Sequence, residues 1–244
     1  MSATTDAVTL ARYDWSETSQ VAVMLTREHG KLRLLSKGAK RPRRGVSNEI
    51  DLLVRCRIVY YPRAGSELEL LGSYEVTEPY AGLRESLPRW YAAQWLAELA
   101  LGLLPDADPS PEAFDLLAGA LGRLCEAADP RPALFAFEAR FLSLIGHAPR
   151  TDRCARCGGA FPAGDRAWWS GRHGGRVCAG CRDDGFVPAS VGAVAALETL
   201  AGGRLTSPER LSLDGGMRAD LGTMLAECLR HLMGREPRLL RFVR

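Results

Sequence analysis

The chain has 244 residues, of which 46% are hydrophobic and 25% are charged, and its formal net charge is +3. A chain of this length exceeds one typical domain, and its apolar fraction allows a sizeable buried core. No apolar run approaches the roughly 20 residues of a membrane span. The N-terminal residues lack the basic and apolar regions of a signal peptide. These features argue against a membrane protein and predict a cytoplasmic protein with reduced thiols.

The basic residues are concentrated in one part of the chain. Residues 27–57 contain ten Lys or Arg against three acids, so the remainder is net acidic. The densest part is residues 37–45, KGAKRPRRG, where Gly and Pro argue against a regular helix or strand. Such a loop is either solvated surface or a polyanion site, and its arginine content favours nucleic acid. The predicted DNA-binding side chains are Lys37, Lys40, Arg41, Arg43 and Arg44 in the loop, with Arg27, Lys31, Arg33, Arg55 and Arg57 around it.

The N-terminal third has the pattern of short strands. Apolar and β-branched runs predict strands at 7–13, 20–26, 31–35, 50–61 and 68–76, of which the fourth is the longest. Five short strands in about 75 residues favour a small closed barrel, because closure removes exposed strand edges. An OB-type barrel is favoured, and an SH3-like barrel is the alternative.

Aromatic residues in this region have two interpretations. They either stack on unpaired bases at the barrel surface or fill the barrel core. The residues concerned are Tyr13, Trp15, Tyr60, Tyr61 and Tyr74.

From Pro88 onward the apolar period becomes that of helices. The second predicted helix opens with Ser110, Pro111 and Glu112, which are an N-cap, a proline at the first helical position and an acid in the first turn. This pattern predicts a helical bundle that is interrupted by an insertion. The apolar stripes lie at residues 90–104, 114–128, 134–144, 191–200 and 217–232.

The insertion contains two Cys-x-x-Cys pairs. Cys154 and Cys157 are followed, after twenty residues, by Cys178 and Cys181. Each pair brings two thiolates to one ion and the second pair completes a tetrahedron, so the spacing predicts one zinc ion per chain. Four sulfur ligands leave no position open for a substrate, which indicates a structural metal. His173, between the pairs, is an alternative fourth ligand.

These patterns together predict an α+β multidomain protein. Its predicted parts are an N-terminal OB-type β-barrel (1–79), the first part of an α-helical bundle domain (80–151), an inserted four-cysteine zinc-binding segment (152–187) and the second part of the helical domain (188–244).

Catalytic motifs are missing from the sequence. We find no phosphate-binding loop, no zinc-protease helix, no serine-hydrolase elbow and no dinucleotide fingerprint, which predicts a protein that is not an enzyme. The alternative is a zinc-ribbon nuclease that holds Mg²⁺ on Asp183 and Asp184 or on Asp106 and Asp108, although aspartates are common in such turns. A further alternative is an adaptor that binds proteins and binds DNA only incidentally.

Four stretches, in order along the chain, show a further pattern. They are residues 8–17 with 24–30, the basic SKGAKR segment at 36–41, an L-x-x-L-x-x-x-E run at 68–75, and 136–149 leading into the first cysteine pair. Together they resemble the RecO family of bacterial recombination mediators, over residues 8–181.

The resemblance implies an OB barrel, a helical domain and a zinc segment, in that order. It implies binding of single- and double-stranded DNA, annealing of complementary strands, and assembly with RecR. That complex helps to load RecA onto DNA coated by single-stranded DNA-binding protein, which implies association with the nucleoid during repair. By position, Lys37, Lys40 and Arg41 fall on the family's basic segment, and the four cysteines fall on its zinc positions.

Overall fold

The structure, a computed structural model, describes residues 1–40, 49–63, 65–161, 167–203 and 208–244. Their contacts divide the chain into two compact units, Met1–Ala127 and Ala128–Arg244. The first unit contains a barrel and two helices, and the second contains further helices and a small sheet. The finer division into four segments, which follows sequence pattern rather than contacts, stays a prediction.

The barrel of the first unit consists of β1 (Ala3–Asp14), β2 (Gln20–Thr26), β3 (Gly30–Ser36), β4 (Arg55–Tyr61) and β5 (Glu69–Glu78). It is closed, with the strands in the order β1-β2-β3-β5-β4. All neighbours are antiparallel except β3 and β5, which pair in parallel. A parallel closing pair is a feature of OB-type barrels and not of SH3-like barrels, so the OB-type prediction is confirmed.

The inside of the barrel is filled by alternate side chains of the strands. Their apolar groups form one core, which leaves the intervening residues for the outer surface. The core residues are Ala7, Ala22, Met24, Leu32, Leu34, Ile50, Cys56, Ile58, Tyr60 and Leu71.

The prediction of a long fourth strand is wrong. β4 begins only at Arg55, and β1, with 12 residues, is the longest strand. Before β4, the apolar residues Ile50, Leu53 and Val54 are buried. However, the backbone of Leu53 has a left-handed φ of 56°, which turns the chain there. Its N–H donates to the carbonyl oxygen of Thr9 at 3.0 Å. The apolar pattern therefore indicated burial and not a continuous strand.

Two helices, α1 (Leu87–Leu103) and α2 (Pro111–Glu126), pack against the barrel in the same unit. As predicted, Ser110 caps α2, since its side chain accepts a hydrogen bond from the N–H of Ala113 at 3.3 Å.

Lys31 connects the barrel to the end of α1. Its Nζ donates to the carbonyl oxygens of Leu101 and Leu104, both at 2.7 Å, and lies 3.2 Å from Oδ1 of Asp106. The last carbonyls of a helix lack intrahelical partners, and the helix dipole favours a cation there. Because only 8% of its side chain is exposed, Lys31 is a structural cation and contributes no exposed charge to a phosphate site.

A glycine allows this approach. Gly30 has a φ of +70°, and a Cβ atom on it would lie 2.3 Å from the carbonyl oxygen of Asp108. The adjacent Ala107 N–H donates to the carbonyl oxygen of Lys31 at 2.9 Å. A side chain at position 30 would therefore separate β3 from the segment that follows α1.

The second unit is built on α3 (Arg131–Leu144), α4 (Val191–Ala201) and α5 (Gly215–Met233), which pack against one another. The short α6 (Leu240–Val243) follows. The carboxylate of Glu138, which is fully buried, accepts hydrogen bonds from Nη2 of Arg244 at 2.9 Å through both oxygens. This contact ties the last residue of the chain to α3.

A small sheet lies in the chain between α3 and α4, as the predicted insertion requires. It has β6 (Ala167–Ser170) in the centre, with β7 (Gly175–Val177) and β8 (Val187–Ala189) antiparallel on either side. Trp169 and Val177 are buried, whereas most of the segment around the cysteines is exposed. In neither unit is a described helix both long enough and apolar enough to cross a membrane.

Replacing Lys31 by Met should destabilise the first unit, because the carbonyls of Leu101 and Leu104 lose their charged donor. We expect the free energy of unfolding in urea to fall by about 1–3 kcal/mol. The control is Arg33→Met, whose guanidinium is 3.6 Å from Asp106 and half exposed. It should cost less than about 1 kcal/mol. Equal losses in the two variants would contradict a structural role for Lys31.

Candidate nucleic-acid interface and metal centre

The four predicted cysteines come together in the second unit. The Sγ atoms of Cys154, Cys157, Cys178 and Cys181 all lie within 4.8 Å of one another. Those of Cys157 and Cys178 are 3.9 Å apart. A tetrahedral zinc ion with Zn–S bonds of about 2.3 Å separates its sulfur ligands by about 3.8 Å. The cluster therefore fits one zinc ion in both size and ligand type.

Local backbone structure places these thiols. Gly158, with a φ of +74°, donates its N–H to the carbonyl oxygen of Cys154 at 2.8 Å and closes the first turn. The second turn closes where the N–H of Cys181 donates to the carbonyl oxygen of Cys178 at 3.0 Å. The N–H of Cys178 also donates to Sγ of Cys154 at 3.4 Å, which joins the two turns.

The thiols affect one another's ionisation. Burial disfavours the thiolate of Cys154, but N–H groups of Cys157, Cys178 and Arg156 favour it and lower its pKa to about 6. Hydrogen bonds with Cys157 and Cys178 raise the pKa of Cys181 to about 12. Four thiolates this close repel one another unless a cation neutralises them. The cluster is therefore chemically suited to a divalent metal ion.

Other candidate metal ligands are engaged elsewhere. Nδ1 of His173 lies 2.9 Å from Oγ of Ser170, outside the cysteine cluster. Asp106 is held by Lys31 and Arg33, and Asp183 accepts from Nη1 of Arg156 at 3.3 Å. Within the described ranges, the four cysteines are the only group of three or more His, Cys, Asp or Glu ligand atoms close enough to share one ion.

Only part of the predicted basic loop is described. Arg41, Arg43 and Arg44 lie outside the described residues. Lys37 is exposed and forms no ion pair with any residue that the structure describes. Nζ of Lys40 lies 2.6 Å from Oδ2 of Asp14. The hydrogen bond from Lys40 is the main reason that the pKa of Asp14 is below its ordinary value.

Described residues on either side of 41–48 line a groove of about 1110 Å³. Its lining includes residues of the turn after β1, of the turn after β3 and of β5. The parallel pairing of β3 with β5 extends only from Leu34 and Glu69 to Leu35 and Leu70. The residues of β5 that line the groove, 71–74 and 76, follow these two pairs in sequence. Ala39, in the first part of the loop, and Glu49, after the undescribed residues, both line it.

Arg27, Arg55 and Arg57 form a separate group, in which nearby carboxylates compensate the positive charges. Asp6 accepts from Nη2 of Arg55 at 2.7 Å and from Nε of Arg57 at 3.2 Å. Arg27 makes a bidentate contact with Asp115, at 3.1 and 2.9 Å. The hydrogen bond from Arg55 is the largest cause of the lowered pKa of Asp6. Of the ten predicted cations, the seven that the structure describes thus lie in separate surroundings and do not form one continuous patch.

The aromatic residues also divide. Tyr60 is buried in the barrel core, and Tyr74 is half-buried, with its hydroxyl accepting from the N–H of Asp51 at 3.2 Å. Tyr13, Trp15 and Tyr61 are exposed. Of these three, Trp15 lines the groove beside the basic loop. The core interpretation therefore holds for Tyr60, and Trp15 is available for contact with a ligand.

Comparison with known proteins supports one family over most of the chain. A family model for the N-terminal part of recombination protein O matches residues 1–80, and the model for its C-terminal part matches residues 84–241. The DNA repair protein RecO of Anaeromyxobacter dehalogenans (strain 2CP-C) is 35% identical over 239 residues, which are 97% of this chain and 93% of that protein.

Two further relatives agree. The DNA repair protein RecO of Myxococcus xanthus is 34% identical over 243 residues, covering 98% of this chain and 95% of that protein. That of Rhodopirellula baltica is 35% identical over 211 residues, covering 85% of this chain and 78% of that protein. The resemblance drawn from the sequence is confirmed, and the chain belongs to the RecO family of DNA repair proteins.

Proposed function

We propose that this protein is a non-catalytic recombination mediator that binds single- and double-stranded DNA and anneals complementary strands. The observation that carries this proposal is the groove of the OB-type barrel, which is lined by the first residues of the basic loop. Lys37 lines that groove and is exposed, and the loop sequence adds Lys40, Arg41, Arg43 and Arg44. Membership of a family of DNA repair proteins supports DNA as the polyanion.

Annealing of this kind requires charge and not catalysis. Two complementary strands repel each other through their phosphates. A polycation that binds both strands reduces this repulsion and raises their local concentration. Base pairing then drives the reaction, so neither a nucleotide nor a metal-bound water is required. The paired arginines, Arg27, Arg55 and Arg57, contribute less, because Asp6 and Asp115 already compensate them.

We propose that the same protein assembles with RecR and helps to load RecA onto DNA coated by single-stranded DNA-binding protein. Family membership supports this role. We also propose that the four cysteines hold one structural zinc ion per chain, with no part in chemistry. The close approach of four thiol groups in a segment with few buried side chains supports a metal that supplies folding free energy.

The first test is the annealing of two complementary labelled oligonucleotides in a buffer without nucleotide and magnesium. We expect the protein to accelerate annealing, and added salt to abolish the acceleration, because phosphate contacts are lost with rising ionic strength. Gel analysis should show intact strands. Strand cleavage that requires Mg²⁺ and Asp183 or Asp184 would instead identify a nuclease.

The loop is tested by neutralising three of its cations together, Lys37→Gln, Arg41→Gln and Arg44→Gln. We expect weaker binding to every DNA sequence, and a slope of log affinity against log salt that falls by about 0.7 for each lost contact with a single strand. Fluorescence anisotropy at several salt concentrations measures both quantities.

The matched control removes the same number of positive charges from outside the loop, through Arg27→Gln, Arg33→Gln and Arg57→Gln. Each of these guanidiniums faces a carboxylate, so the change in slope should be much smaller. Equal effects of the two triple variants would mean that overall charge, and not the loop, attracts DNA.

The metal is tested with Cys154→Ser. We expect the zinc content, measured by atomic emission, to fall from about one ion per chain to near zero, and the melting temperature to fall with it. Cys125→Ser is the control, since Cys125 is outside the cluster and half-buried. It should retain the zinc. An unchanged zinc content and melting temperature in Cys154→Ser would contradict a structural metal.

A further inference from the structure

We propose that the cysteine-containing segment of the second unit carries its own phosphate site, which holds the backbone of a second DNA strand on the same chain. The site consists of Arg150, Arg153, Arg172 and Arg176. This inference rests on the proposed annealing function and deepens it. It assigns one strand to the barrel and another to the second unit, so that a single chain brings two strands together.

The sequence of this segment is biased toward one kind of cation. Residues 150–176 contain six arginines and two aspartates, with no lysine and no glutamate. A solvated surface usually mixes charges of both signs. Arginine suits phosphate because its planar guanidinium donates two parallel hydrogen bonds to a pair of oxygens. The composition therefore favours an anionic ligand with phosphate geometry.

The fold brings these arginines together beside the turn between β6 and β7. The N–H of Arg150 donates to the carbonyl oxygen of Gly174 at 2.9 Å, and the carbonyl oxygen of Arg150 accepts from the N–H of Arg176 at 2.8 Å. Arg172 lies in the turn itself, two residues before Gly174. Arginines that are far apart in sequence are thus neighbours in space.

The backbone at this point is fixed on both sides. A Cβ atom on Gly175 would lie 2.2 Å from the carbonyl oxygen of Arg150, so only glycine allows this approach. Farther along, the N–H of Ala155 donates to the carbonyl oxygen of Arg176 at 2.8 Å. Arg153 lies between these two contacts and directly precedes Cys154. The residues that carry the cations are therefore held against β7.

The charges at this site lack acidic partners among the described residues. Arg150, Arg153 and Arg172 are exposed, and neither they nor Arg176 forms an ion pair within the described ranges. Asp152 is the one acid between 150 and 176 that the structure describes, and it is exposed and forms no ion pair with them. Four guanidiniums accompany one carboxylate, which leaves a local excess of positive charge.

An aromatic ring orders one of these guanidiniums. Cζ of Arg176 lies 3.8 Å from the centroid of the Phe161 ring. Stacking fixes the plane of the guanidinium and leaves its edge for an acceptor. Nε of Arg176 is buried and has no hydrogen-bond partner among the described residues. A guanidinium that is already ordered loses less conformational freedom when it binds a phosphate.

The surroundings of the site favour DNA over an acidic peptide. Peptides and proteins are usually held by apolar or aromatic anchors in addition to charge. The turn beside these arginines, residues 171–175, is Gly-Arg-His-Gly-Gly and offers no large aliphatic group. A DNA strand needs no such anchor, because contacts with its phosphates supply most of the affinity.

A second site changes how annealing proceeds. With one site, the complementary strand must be captured by a separate collision. With two sites, both strands are held by one chain, and their effective concentration toward each other rises. Each unit of the protein then contributes one strand to the reaction.

The experiment counts the strands bound by each chain. The probe is an oligothymidine of about 8 nucleotides, whose copies cannot pair with one another. Native mass spectrometry of the full chain with excess probe gives the stoichiometry. The wild-type protein should bind two strands, and the triple variant Arg150→Gln, Arg153→Gln and Arg172→Gln should bind one. The triple loop variant should also keep one strand, and the combined variant should bind none.

The annealing rate gives a second readout. The triple variant of the second unit should anneal complementary oligonucleotides about 10-fold more slowly, with its affinity for the first strand changed by less than about 2-fold. Arg172→Glu, a single change in an exposed turn, should weaken binding of the second strand by about 10-fold. It keeps the test valid if the triple variant does not fold.

The matched control removes three arginines of the second unit that already contact carboxylates. It consists of Arg131→Gln, Arg156→Gln and Arg230→Gln. This variant should still bind two strands. If it loses the second strand as the first triple variant does, the overall charge of the unit attracts DNA and the assigned site is wrong.

Other outcomes overturn the inference in distinguishable ways. If the wild-type protein binds only one strand, or if the triple variant of the second unit still binds two, the second site does not exist as assigned, although DNA binding by the loop stands. If only the affinity for a peptide rich in Asp and Glu falls in that variant, the surface docks a protein. If the wild-type protein binds no strand, the proposed function itself fails.

Discussion

The barrel closes through a short parallel pairing, and its main groove lies beside that pairing. A closed barrel must pair every strand on both sides, because an unpaired edge attracts other chains. Here the last gap is closed by two residue pairs, Leu34 with Glu69 and Leu35 with Leu70. Two pairs complete the ring but leave the rest of β5 without a parallel neighbour. Residues of that remainder line the groove, so β3 and β5 both close the barrel and contribute to the groove.

Charge in this protein has two uses that sequence alone does not separate. Lys31 and Lys37 are six positions apart in the same basic region. Lys31 is buried against carbonyls of α1, seventy residues away in sequence, where it satisfies acceptors that would otherwise lack partners. Lys37 is exposed, and its charge is not compensated by a described acid. Removing the first should therefore affect folding, and removing the second should affect binding to an anion.

The predictability of each feature depends on how local its cause is. The clustering of the four cysteines was predictable because Cys-x-x-Cys geometry is fixed within four residues and a second pair completes the set of thiols. The N-cap at Ser110 was predictable for a similar reason. The start of β4 was not predictable. Ile50 and Val54 are buried without belonging to the strand, and no sequence pattern indicates the left-handed backbone of Leu53.

Trp15 is an intermediate case. The sequence placed it among five aromatic candidates and could not separate stacking from core, because both roles require the same ring. What distinguishes it is its position. Tyr60 falls within a strand that faces the core, whereas Trp15 lies in the turn after β1, where Ser and Thr neighbours indicate a connection rather than a buried strand. An aromatic side chain in a turn has fewer buried neighbours to pack against than one in a core strand. Its position in a turn was therefore the sequence signal for an exposed Trp15.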